Sequence, residues 1–289
     1  MPADVMPAGV IHDLGYQRYA GDRYGRAAVV RTLAVYSLRS AFGLGRGARA
    51  KIVPVAVFAL MSLPAVVNAY VVARGGARAF PYDTYSYSLR VVLMTIFIAA
   101  QAPELVSRDL RHRVLPLYFA RPLRPADYPL AKLAALVTAC LIVLDVPVLL
   151  LYVGTIIGVH GPGAVWHQTT DLLPGLAVGV AWSVVLAPIG LAIASSSGRR
   201  AFAAGGVASF FFLTWVLSQV LGPLATRSSG LVSPFTLLDG VRLWLGGTTP
   251  GAVPAPGGTW GTGYLLLLLA LVAGSVAELV TRYRKAGAS

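Results

Sequence analysis

Six stretches of this chain are apolar for long enough to sit in the hydrocarbon of a bilayer, or nearly so. They cover residues 52–73, 89–103, 130–157, 172–195, 201–221 and 263–280. A helix needs about 20 apolar residues to cross roughly 30 Å of hydrocarbon. The second run is short and is expected to continue into the charged segment after it. The fourth and fifth are separated only by Ser196-Ser-Gly-Arg-Arg200, room for a tight turn. Hydrophobic residues make up 56% of the chain and charged residues 12%, with a mean hydropathy of +0.70. A soluble fold of this length could not hide that much apolar surface. The expected fold is an all-α integral membrane protein, six transmembrane helices in a single domain over 1–289.

Cations set the expected orientation. Of 24 lysines and arginines, 19 lie in the segment up to Lys51, the loop after the second run, the Arg199-Arg200 pair and the C-terminal tail. Five lie in the other loops. The positive-inside rule then places both termini in the cytoplasm. The net charge of +13 reads as a topology signal facing anionic membrane lipid. It does not read as a nucleic-acid surface, because no basic face with interleaved aromatics lies outside the membrane flanks. Residues 1–30 contain no apolar signal-peptide core, so the chain is expected to begin in the cytoplasm. Between Arg26 and Lys51, the side chains Val30, Leu33, Leu38, Ala41 and Phe42 share one side of a helix. Arg31, Arg39, Arg46 and Arg49 flank it, so an interfacial helix is expected before the first span. Residues 1–51 are thus a tail plus interfacial helix, 52–280 the spans, and 281–289 a second cytoplasmic tail.

The loop between the fifth and sixth spans, 222–262, is long. Ser233 is placed to cap a helix, Pro234 suits its first turn, and Leu237, Leu238, Val241 and Leu245 form an apolar stripe. A short helix or re-entrant piece at the outer membrane face is expected. Arginine outnumbers lysine 21 to 3, a bias of GC-rich coding that points to a bacterial plasma membrane.

Several chemistries are excluded by what the chain lacks. It has no G-x-x-x-x-G-K-[ST] and no Gly-Lys pair, so it cannot hold ATP by a P-loop. It has no H-E-x-x-H, C-x-x-C or G-x-S-x-G. The single cysteine, Cys140, forms no internal disulfide. His160 and His167 share an outer loop with Asp171, at a spacing that matches no metal pattern. No catalytic residue, bound cofactor or metal is expected in this chain. Asp145 is different, because it sits near the middle of the third span. A carboxylate there costs about 2.5–3.5 kcal/mol on insertion scales, so it must face protein or water. Pro147 frees the carbonyl of Val143 nearby. Asp145 reads as a polar knot with Asn68 or Gln101 of neighbouring spans, or as a group lining a transport pathway.

The densest charge in the chain runs from Glu104 to Lys132, between the second and third spans. It holds Arg108, Arg111, Arg113, Arg121, Arg124 and Lys132 beside Glu104, Asp109 and Asp127. Such a loop is a docking surface for a soluble partner. Its residues Glu104, Ser107, Arg108, Asp109, Arg111, Leu115, Pro122, Asp127 and Lys132 resemble the corresponding loop of ABC type-2 exporter permeases. Arg113 stands where that family often has glycine, and Ala131 replaces the glycine before the lysine. The six-span layout and the long last outer loop are similar too.

The resemblance implies the membrane half of an ATP-driven exporter. Two permease copies, or one with a paralogous permease, would each dock a separate ABC ATPase subunit that holds the ATP and magnesium. The segment around 104–121 would be the coupling helix. Glu104, Arg108, Asp109, Arg111, Leu115, Tyr118 and Phe119 would form its docking surface, with Leu115 and Phe119 supplying apolar burial. Asp145, Asn68 and Gln101 would be the pathway candidates, and the substrate a small amphipathic molecule. Two other functions fit the residues alone. One is a membrane regulatory or immunity protein that binds a cytoplasmic partner without transport. The other is an ion-coupled secondary transporter using Asp145, against which stands the scarcity of intramembrane charge.

Overall fold

A computed structural model describes residues 25–83, 87–111, 118, 123–224, 228–247 and 256–288. All regular structure among them is helical. The helices are α1 (Arg26–Ala41), α2 (Ala48–Ala73), α3 (Tyr87–Arg111), α4 (Asp127–Ile156), α5 (Pro162–Ser195), α6 (Arg200–Leu221), α7 (Pro234–Trp244) and α8 (Thr259–Ala288). A 3₁₀ turn, Ser228–Leu231, precedes α7. Six helices are long and apolar enough to cross a membrane: α2, the Tyr87–Ser107 part of α3, α4, α5, α6 and the Thr259–Lys285 part of α8. The chain is a multi-pass membrane protein. Arg46, Arg200, Lys132 and Arg282 gather at one end of the bundle, called here the basic end; the opposite end is the far end.

The expected short second run does continue. Helix α3 passes through Pro103 into the charged segment and is described as far as Arg111. The fourth span begins earlier than hydropathy indicates, at Pro162 rather than 172. Its 34 residues make a rod of about 51 Å at 1.5 Å per residue, longer than a bilayer core, so its polar first turns project beyond the hydrocarbon. His167 and Asp171 therefore lie on a helix, not in a loop. They are paired at 3.4 Å, and Asp171 is also 3.4 Å from Arg78.

Helix α3 is the axis of the bundle. In the most apolar 18-residue stretch of its span 78% of residues are buried, against 17% in α8 and 22% in α6. Helices α2, α4, α5 and α6 all pack on α3, and α8 lies against α5 and α7. Helix α1 packs on α4 and α3 through Leu33, Ser37 and Ala41. The chain then turns sharply at Gly43, whose φ of +68° suits glycine. Lipid supplies no hydrophobic force between helices, so close packing of small residues holds them together. Gly154 of α4 shows this: a Cβ there would sit 2.7 Å from the Cβ of Ala69 on α2.

Ser233 and Pro234 act as their sequence indicates. The Ser233 hydroxyl accepts the Phe235 N–H at 3.3 Å, and Pro234 opens α7. Every residue from Pro234 to Val241 is buried, and α7 packs on α5, α6 and α8.

Replacing Gly154 by leucine is expected to force α2 from α4. Overpacking of this kind costs about 1–3 kcal/mol. Monodisperse yield in detergent should fall for Gly154→Leu and stay normal for Gly274→Leu, because nothing lies within 4 Å of Gly274.

Candidate functional site

The stems of the charged loop are tied into the bundle by ion pairs. Glu104, on α3, is buried and lies between Arg46 of the α1–α2 corner and Arg200 at the start of α6, the latter at 3.1 Å. Three residues on, the Ser107 hydroxyl donates to the Ala194 carbonyl of α5 at 3.2 Å. Asp109 meets the Lys132 ammonium of α4 at 3.1 Å and accepts the Tyr128 hydroxyl. Asp127 opens α4 and accepts the Arg26 Nε–H of α1 at 2.6 Å and the Arg124 N–H at 2.8 Å. The hydrogen bond to Asp127 raises the Arg26 pKa above its ordinary value. The loop residue Tyr118 lies with its ring 5.2 Å from that of Tyr128, which in turn is 5.2 Å from Tyr283 of α8.

Of the expected docking residues, then, Glu104, Asp109 and Tyr118 are turned into the bundle. They tie the stems of the loop to the bundle. Leu115 and Phe119 fall outside the described residues, as do the side chains of Arg108 and Arg111.

The three pathway candidates are not brought together. Asn68 donates to Thr155 at 3.1 Å and accepts the Ala79 N–H at 2.8 Å, stitching α2, α4 and the following loop at the far end. Gln101 is buried one turn before Glu104, near the basic end. Asp145 lies between them in depth. Its expected bond to Asn68 is absent, because Asn68 is engaged one helix end away. Asp145 instead packs against the backbone of Gly179 on α5, where a Cβ would overlap its carboxylate. Its Oδ1 is buried without a hydrogen-bond partner among the described residues. Arg90 of α3 is also buried.

Sequence reasoning missed a second charged cluster at the far end. Arg242 of α7 donates to Asp83 at 2.7 Å and to Asp239 at 3.0 Å. Arg90 lies over the Trp182 ring at 5.4 Å. The available signal was Asp239-Gly-Val-Arg242, a pair three residues apart inside an apolar stripe. The same spacing also suits an exposed helix face. No group of three His, Cys, Asp or Glu that could hold a metal occurs among the described residues. No protein-family model matches the chain, and no curated protein is significantly similar to it.

The Asp109–Lys132 pair is asymmetric. The Lys132 side chain is 7% exposed and that of Asp109 21%. Asp109→Asn strands a buried ammonium, a loss of about 3–5 kcal/mol, whereas Lys132→Met leaves a carboxylate that reaches water. Thermal unfolding in detergent should therefore rank Asp109→Asn below Lys132→Met. The double variant should recover stability relative to Asp109→Asn, a positive coupling in the mutant cycle.

Proposed function

We propose that this chain is the membrane subunit of an ATP-driven exporter of the ABC type-2 kind. It pairs with a second permease and docks a separate ATPase through the loop between α3 and α4. The observation that carries this reading is the anchoring of that loop. Its two stems are held by ion pairs and hydrogen bonds to α1, α5, α6 and the α1–α2 corner, and a tyrosine stack continues to α8. A loop needs such mooring if a push on it is to move helices and not merely bend the loop. A regulatory protein that only captures a partner has no need of it.

In this reading both termini and the charged loop are cytoplasmic, and α1 lies in the interface with Arg31, Val35, Tyr36 and Arg39 outward, where basic and aromatic side chains favour lipid headgroups. ATP and magnesium belong to the partner. Hydrolysis there displaces the loop; the displacement enters α3 at Glu104 and Asp109 and travels along the most buried helix to Arg90 and the far-end charges.

Two experiments test the reading. Leu115→Ala combined with Arg111→Glu should leave the permease inserted but remove its co-purifying ATPase, since losing a buried interface anchor costs about 2 kcal/mol, roughly 30-fold in affinity. Retention of the ATPase at full activity by that variant refutes docking at this loop. For orientation, single cysteines are placed at Gly163 and Ser196, both exposed and at opposite ends of α5, in a Cys140→Ala background. An impermeant maleimide should label Gly163→Cys in intact cells and Ser196→Cys only after lysis; the reverse pattern overturns the topology.

A further inference from the structure

A cavity of about 280 Å³ lies at the far end between α3, α5 and α7. We propose that it binds a small flat amphiphile without net charge, with a ring body and a single polar head. The cavity would be the substrate site of the exporter proposed above, and its transport role rests on that reading.

Four features of the lining select this ligand. The first is size: about 280 Å³ is at the lower edge of the roughly 300–1,000 Å³ typical of ligand pockets, too small for a glycan or peptide. The second is shape. Ala177 and Ala181 stand one turn apart on α5 beside Trp182, while Val178, Leu238 and Val241 complete an apolar wall. Two alanines beside an indole leave a slot for a ring, and aromatic rings gain from offset or edge contacts there. The third is charge. The lining carries Asp83 and Asp239 against Arg90 and Arg242, two of each sign, and the Arg242 pairs are already made. An ion brought into this balanced lining would add a charge with no counterpart, at the desolvation cost of any unpaired buried ion. The fourth is the head group. The Tyr87 hydroxyl, edge-on to Trp182 at 5.9 Å between ring centroids, is buried with no hydrogen-bond partner among the described residues. A buried hydroxyl left unsatisfied is costly, and a ligand hydroxyl or carbonyl would complete it.

The test uses the purified chain in lipid nanodiscs, with 4-hydroxybenzophenone as a neutral ring probe that crosslinks on illumination. Two charged analogues accompany it, 4-benzoylbenzoate and 4-aminomethylbenzophenone. The neutral probe should label saturably, with adducts mapped by mass spectrometry to α5 around Ala177–Trp182 and to α7. Ala181→Phe, which fills the slot, should abolish the saturable component while eluting as a monodisperse peak. Tyr87→Phe, which keeps the ring and removes only the hydroxyl, should weaken saturable labelling with the same adduct positions. Three results overturn the proposal: non-saturable labelling spread over the lipid-facing α6 and α8, labelling unchanged in Ala181→Phe, or equal saturable labelling by either charged probe. No ATPase is present, so failure here leaves the docking reading intact, and failure of co-purification leaves the binding result intact.

Discussion

An ion taken out of water must have its counter-ion waiting, because an unpaired buried charge costs several kcal/mol that a marginally stable fold cannot absorb. This constraint organises both ends of the bundle. At the basic end Glu104, Asp109, Lys132 and Asp127 sit within the packed helices, and each meets a partner from another element. At the far end Arg242 lies between Asp83 and Asp239. Between lipid-immersed helices the hydrophobic effect does not choose neighbours. Paired charges and close small-residue contacts do, and they leave little freedom in depth or rotation.

Helix α3 gains its role from this arrangement. It has the highest share of buried span residues, and it bears charges that report to both ends: Glu104 and Asp109 toward the basic end, Arg90 toward the far-end cavity. Its helix continues beyond the span to Arg111, so the loop stem and the membrane segment are one element. The Tyr118–Tyr128–Tyr283 stack adds a lateral route to α8. The stems of the loop are thus tied to the bundle both along α3 and through the tyrosines to α8.

Inserting α7 has a similar logic. An eleven-residue helix is too short to span, and its Asp239 and Arg242 would be costly against lipid. Packed among α5, α6 and α8, its polar side chains meet Asp83 and each other, and Leu237, Leu238 and Val241 of its apolar stripe are buried, while Leu245 beyond its end is exposed. The cavity lies between α7, α3 and α5.

The six spans and the Ser233–Pro234 start of α7 were legible in the residues, because each depends on a property local to the chain: summed hydropathy and capping. Legibility failed where a local sum was diluted. Residues His167, Gln168 and Asp171 lower the hydropathy of the start of α5, yet the helix simply continues past the bilayer. It failed also where pairing mattered. The charged loop was recognisable, but the inward turn of Glu104 and Asp109 was not, nor was the meeting of Arg242 with Asp83, 159 residues away. Hydropathy belongs to each residue and survives any arrangement of helices. Which charges meet depends on how helices rotate and slide against one another, and contacts such as Gly154 on Ala69 settle that only once the bundle is packed.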